Sequence, residues 1–264
     1  MQIKDVISSI ESFAPPALQE SWDNTGLQTG DAEAECTGVL ICLDPTEEVV
    51  AEAVRRECNL VVSHHPLLFR GLKHITGATP VERTVVAAIR AGIAIYSSHT
   101  ALDSARGGVS YAIARGLGAR VERVLRPASC SPADAGEGLG VVAVFPEPLT
   151  LADFIARVKQ ACGSGILRCT APADGLAISR IAVCGGAGGE FIPDAVAACA
   201  DAYLTADVRY HDFGEWADRI FIVDAGHYET ESCTKMLFMQ LIKEKFANFA
   251  VYISATEKNP INYL

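Results

Sequence analysis

The chain has 264 residues, half of them hydrophobic and a fifth charged, and its 32 Asp+Glu against 22 Lys+Arg give a formal charge of −10 at pH 7. That is the composition of a folded globular protein, one large domain or two smaller ones, and not of a disordered chain. It speaks against a nucleic-acid binder, whose affinity would come from phosphate neutralisation by a basic patch, because no Lys/Arg cluster is present.

Ile3, Val6, Ile7, Ile10 and Phe13 recur at helical spacing, and Pro15-Pro16 closes that helix. A Trp22-Asp23-Asn24-Thr25-Gly26 turn follows. Strand and helix then alternate: strand near 38–43, helix near 46–57, strand 60–63, helix near 80–91, strand 93–97 and helix from about 109 to 117. The stretch 126–138 is rich in Pro, Gly, Ser and Ala and reads as a linker or long loop. Beyond it the pattern predicts strand 139–145, a helix from Thr150 to about 162, strand 178–184, a helix near 190–200, strands 202–205 and 219–223, a helix of about 229–246 and a strand of 249–254. The alternation implies an α/β protein with largely parallel sheets. A boundary in the linker gives a first domain of residues 1–125 completed by 229–264, carrying His64, His65, Asp103 and Glu231. The second domain then spans 126–228, up to His227.

The nine cysteines are scattered, with no Cys-x-x-Cys pair, and mostly lie in apolar runs, so buried free thiols are expected rather than disulfides or a thiolate zinc site. No apolar stretch approaches the ~20 residues that span a bilayer, and the N-terminal residues lack a signal-peptide core. A cytoplasmic protein with no membrane partner is expected.

Of the six histidines, His64, His65, His99 and His227 fall just after predicted strands. In open α/β sheets that is where ligands bind. Pro66 takes the chain out of the strand, so that the adjacent rings of His64 and His65 can reach one point; otherwise the His-His-Pro is a polar strand end. Asp103 follows His99 by four residues and reads as a ligand or as a turn carboxylate. His227 and Glu231 are i and i+4, on one face of a helix beginning near Tyr228. Three imidazoles and two carboxylates without a thiolate make a site for Zn, Fe, Mn or Co. Two such ions sharing a carboxylate and a water would generate hydroxide near neutral pH, which is hydrolase chemistry. His99 and His211 are the candidate proton-transfer groups. The turn containing Gly185, Gly186, Gly188 and Gly189 follows a strand and precedes a helix, as either a plain tight turn or a cradle for a phosphate. His74 reads as an exposed loop residue.

Five ordered blocks carry a family resemblance: Trp22-Asp23-Asn24-Thr25-Gly26-Leu27; Ser63-His64-His65-Pro66-Leu67 with Phe69; Ser98-His99-Thr100-Ala101-Leu102-Asp103; Thr205-Ala206-Asp207 with Tyr210-His211; and Asp224-Ala225-Gly226-His227 with Glu231. Over about residues 1–254 the chain resembles the dinuclear-metal-centre family labelled GTP cyclohydrolase 1 type 2 homolog, also called NGG-interacting-factor-three-like. The resemblance implies two interlinked α/β domains with the metals between them and a hexameric ring built as a trimer of dimers. It also implies His64, Asp103 and Glu231 on one ion and His65, His227 and Glu231 on the other, with Glu231 bridging. The chain looks like the short form, without the inserted domain of longer members. Ala206 and Ser110 depart from the family's usual Gly and Asn but touch none of the five ligands. Two functions follow as expectations: a metal-dependent hydrolase acting on a nucleotide-like small molecule, or a metal carrier or cofactor-assembly protein using the same residues.

Overall fold

Four-residue apolar runs that end abruptly make the central strands of the first sheet. The computed structural model describes residues 1–132 and 134–263. In chain order the elements are α1 (Ile3–Glu11), β1 (Gly26–Thr29), β2 (Val39–Cys42), α2 (Glu47–Arg55), β3 (Leu60–Ser63), α3 (Pro80–Ala91), β4 (Ala94–Ser97), α4 (Thr100–Ser104), α5 (Val109–Gly116), β5 (Arg120–Pro127), β6 (Gly138–Thr150) and α6 (Leu151–Cys162). There follow β7 (Arg168–Cys169), β8 (Ala177–Ala187), α7 (Ile192–Ala197), β9 (Ala202–Ala206), α8 (Tyr210–Trp216), β10 (Phe221–Asp224), α9 (His227–Glu231), α10 (Thr234–Lys245) and β11 (Val251–Ile253). No helix among the described residues is long and apolar enough to cross a membrane.

The chain divides into two compact units. Unit 1 comprises Met1–Leu102 and Thr234–Asn262, and unit 2 comprises Asp103–Cys233 with Tyr263. The boundary expected within 126–138 is therefore corrected. That segment joins two antiparallel neighbours, β5 and β6, with Arg126 opposite Leu139 and Pro127 opposite Gly138. A stretch of turn formers serves a strand-to-strand connection as well as a linker, and composition does not tell the two apart. Ala133, within it, lies outside the described residues. As a result Asp103 and Glu231 belong to unit 2 with His227, not to the first domain.

Unit 1 holds the sheet β1-β4-β3-β2-β11, in which β4, β3, β2 and β11 run parallel and β1 adds antiparallel at the edge. Every residue of β2, β3 and β4 is buried, which is why these strands read as continuous apolar runs rather than alternating ones. Leu40, Val61 and Ile95 pack with Val49, Ala53, Val85 and Ala88 of α2 and α3. Both helices begin on a threonine whose hydroxyl accepts an N-terminal amide, Thr46 from Val49 and Thr79 from Glu82.

Unit 2 holds the sheet β5-β6-β8-β9-β10-β7, with β8, β9 and β10 parallel and β5, β6 and β7 joined antiparallel. Val142, Ala182, Tyr203 and Ile222 form a core with Phe191, Ile192 and Ala195 around α7. The single helix expected over 229–246 is two helices, α9 and α10, with Ser232 and Cys233 between them. Thr230 draws the short α9 back onto its own start through its hydroxyl, which bonds Gly226 O and His227 O. Cys36, Cys42, Cys58, Cys162 and Cys184 are buried thiols, whereas Cys130, Cys169 and Cys199 are exposed.

Glu52 on α2 ties down the segment after β11. Its carboxylate accepts Ser254 Oγ at 2.7 Å, the amides of Ala255 and Thr256, Thr256 Oγ1 at 2.8 Å and Arg56 Nε at 2.7 Å. Burial alone would raise the carboxyl pKa, but these donors outweigh it and lower it from 4.5 to about 2. The stabilisation is therefore complete above the unfolded value and is lost as pH falls through the folded one. Glu52→Gln is expected to cost about 2–3 kcal/mol at neutral pH, since hydrogen bonds to a charged acceptor are the strong ones. By calorimetry, the gap in melting temperature to wild type should narrow as pH drops from 4.5 toward 2. A pH-independent gap would contradict this assignment.

Candidate metal centre

In unit 1 the histidines stand where the parallel strands end. His64 and His65 follow β3 and His99 follows β4, and their ligand nitrogens all lie within 4.8 Å of one another. Ring centroids are 5.2 Å apart for His64–His65, 5.3 Å for His64–His99 and 5.5 Å for His65–His99. The turn at Pro66 thus brings the adjacent rings together, as its position predicts. Ser63 and Ser97 hold that turn by donating from their hydroxyls to His65 O at 2.8 and 3.2 Å.

Each of these rings is tethered through Nδ1: His64 to Ser98 O at 3.1 Å, His65 to Asp44 Oδ1 at 2.7 Å and His99 to Asp23 Oδ1 at 2.8 Å. A carbonyl or a carboxylate can only accept, so Nδ1 is the protonated nitrogen in each ring. The lone pair of the neutral imidazole is then on Nε2. This is the arrangement by which proteins orient metal-binding histidines. Asp23 is itself fixed by the amides of Asn24 and Thr100 at 2.7 and 2.9 Å. Burial would raise its carboxyl pKa, but the bonds to His99 and Thr100 outweigh that and hold it well below the usual carboxylate range.

In unit 2, α9 sets His227 and Glu231 one turn apart, with Nε2 of the ring 3.0 Å from Glu231 Oε2 and Nδ1 2.7 Å from Asp207 Oδ2. Asp207 follows β9 in the left-handed region, at φ 53. Asp224 steadies this corner: its carboxylate accepts Val208 N at 2.9 Å and Gly226 N at 3.1 Å, and Arg168 pairs with it. Burial would pull the His227 pKa down, but the bonds to Asp207 and Glu231 and their charges push it up to about 10. The corner is built to hold positive charge, and a divalent cation fits it chemically. After burial, the charges of Asp103, on α4, and Glu231 raise the pKa of the buried Cys184 thiol, and both add to the burial and the Cys162 charge that push Cys233 up to about 12. Among the described residues Asp103 joins no cluster of three ligand atoms.

The strand expected to stop at 184 continues to Ala187, so Gly185 and Gly186 lie within β8, at the register break between Val183 and Ala187, and only Gly188 and Gly189 follow it. A Cβ at Gly186 would stand 2.0 Å from Glu231 Oε1 and 3.5 Å from His227 Cε1, and the backbone there has φ +65. Gly185 N donates to Ser110 Oγ at 3.3 Å and Gly186 N to Thr230 Oγ1 at 3.0 Å, so these two amides are engaged within the unit. His211 is exposed on α8 with its ring 5.4 Å from that of Tyr210, and His74 is exposed. Asp23, Asp44 and Asp207 are partners that the histidine pattern does not single out. The signal was available for Asp44 and Asp207, which follow β2 and β9, parallel neighbours of the strands that lead to His64 and His227.

Residues 1–260 match the family described as Duf34/NIF3 (NGG1p interacting factor 3). The chain is 33% identical over 266 residues to a protein named GTP cyclohydrolase 1 type 2 homolog from Clostridium perfringens, covering 100% of both. It is 35% identical to the one so named from Lactococcus lactis subsp. lactis, covering 98% of both. Its fold is similar to that of the Staphylococcus aureus hypothetical protein SA1388, with a TM-score of 0.89 and 28% identity, covering 100% of this chain and 99% of that one. With clustered histidines at the ends of parallel strands and a match over nearly its whole length, the chain belongs to the Duf34/NIF3 family.

Proposed function

We propose that the chain is a metal-dependent hydrolase with a dinuclear metal centre. His64, Asp103 and Glu231 hold one divalent ion and His65, His227 and Glu231 the other, each ion Zn, Fe, Mn or Co. The observation that carries this reading is the common tether: His64, His65, His99 and His227 all spend Nδ1 on an acceptor that cannot donate. Bound divalent ions supply Lewis acidity and activate water near neutral pH. A nucleotide-like substrate, opened at a C–N bond or cleaved at a P–O bond, fits that chemistry and the name carried by the relatives.

His99, anchored by Asp23, is the group placed to hold or pass a proton; His211, exposed on α8, is the weaker candidate. A substrate phosphate at the glycine turn would rely on Gly188 and Gly189, since Gly185 and Gly186 have their amides engaged. The family resemblance supports a homohexamer, a trimer of dimers, as the working assembly.

The test is elemental analysis of the purified protein, followed by a nucleotide-hydrolysis screen on the metal-loaded sample. Two ions per chain with turnover is the expected result. Metal without turnover would make the protein a carrier or assembly factor, and no metal even after reconstitution would overturn the reading.

A further inference from the structure

Beside the imidazole cluster, unit 1 presents two large aromatic side chains to solvent. Trp22 is 57% exposed and Phe69 46% exposed, and their ring centroids lie 5.8 Å apart at 52°. Both present edge-on contacts to His99, at 6.0 and 6.2 Å. Exposed aromatics in contact with each other carry a hydration cost that a folded chain ordinarily removes by burial.

The loops that hold them are tied together. Asn24 Nδ2 donates to Leu68 O at 2.7 Å and to Gln28 Oε1 at 3.1 Å, and Leu68 N donates to Gln28 Oε1 at 3.2 Å. Trp22 immediately precedes Asp23, which the amides of Asn24 and Thr100 pin in place. The backbone that carries both rings is therefore held in place, which lowers the ordering cost of binding against them.

We propose that Trp22 and Phe69 form a stacking wall for a planar heteroaromatic ring, such as a nucleobase, next to His99. Size argues for a small ring over a protein. An aromatic side chain buries roughly 150–250 Å² in all, so the exposed parts of two cover about one ring, far below the ~800 Å² per partner of a stable protein interface. The geometry argues for a flat ligand, because two exposed rings tilted at 52° accept offset or edge-to-face stacking. The net charge of −10 favours a free base or nucleoside over a nucleic-acid strand. The wall names the ring-bearing class within the hydrolase reading and rests on it for its chemical meaning, while ring binding itself needs no metal.

The chain has two tryptophans, so Trp216→Phe leaves Trp22 as the only indole. Its fluorescence is followed during titration with guanosine, adenosine, ribose 5-phosphate and single-stranded oligothymidylate, on metal-free and metal-loaded protein alike. If Trp216→Phe fails to fold, the difference between wild type and Trp22→Phe gives the same signal. Saturable quenching by the nucleosides, none by ribose 5-phosphate, and roughly 5–150-fold weaker binding in Phe69→Ala are expected, since one lost stacking contact is worth roughly 1–3 kcal/mol.

No saturable quenching at about millimolar nucleoside, or full affinity in Phe69→Ala, would overturn the wall. Blue-shifted Trp22 emission that reddens on dilution would overturn it in favour of a second copy of the chain, and tighter binding of the oligonucleotide than of nucleosides would overturn the free-ligand form. Nucleoside binding by a protein that takes up no metal would retain the wall and sink the hydrolase reading.

Discussion

Replacing Glu231 with alanine should remove both metal ions from the protein. Glu231 is buried, lies 3.0 Å from His227 Nε2, and in the proposed centre is the carboxylate shared by the two ions. Losing it would leave one set with His64 and Asp103 and the other with His65 and His227, two donors each, too few for a metal of this class. Glu231→Gln keeps the shape and removes the charge, so it separates packing from ligation. Both variants should fold and both should fall from two ions per chain to none by elemental analysis. Retention of one ion would end the bridging role, and retention of two would end the ligand role altogether.

Gly186→Ala should fail in a way that Gly185→Ala does not. A methyl group on Gly186 would occupy space 2.0 Å from Glu231 Oε1, at a backbone angle of φ +65 that costs an L-residue about 1–2 kcal/mol. Glu231 must then move, and a roughly 10–100-fold loss of metal affinity is expected, the range seen when the support of a ligand is disturbed. A methyl group on Gly185 meets Val109 Cγ1 at 2.6 Å, so that variant is destabilised by overpacking of about 1–3 kcal/mol but keeps its metal once folded. Metal titration of both variants, read beside their melting temperatures, tests this. Equal metal affinity in the two would place Glu231 outside the centre.

The parallel cores of both sheets are legible in the sequence for a physical reason. Strands buried on both faces must be largely apolar, and β3 and β4 are such runs up to the serine that ends each. The edge strands are not legible in that way. β5 reads Arg-Val-Glu-Arg-Val-Leu-Arg-Pro, half exposed, and its alternation is easily lost among charges. β1 and β7 are too short and too exposed to stand out from a loop. In the site, the histidines are visible because so few occur and because they follow strands. Asp23, Asp44 and Asp207 are harder to see, since a lone aspartate after a strand reads equally as a turn residue. Gly186 has a reason that its motif does not show: it is small because Glu231 lies against it.

Unit 1 is discontinuous, with β11 pairing alongside β2 and α10 packing on it, both from the last segment of the chain. During synthesis, Asp103–Cys233 is made before that segment. Met1–Leu102 therefore waits for β11 with the open edge of β2 unpaired. An unpaired strand edge on a nascent chain is a template for wrong partners. The order of translation thus leaves the sheet that carries His64, His65 and His99 incomplete until β11 is made.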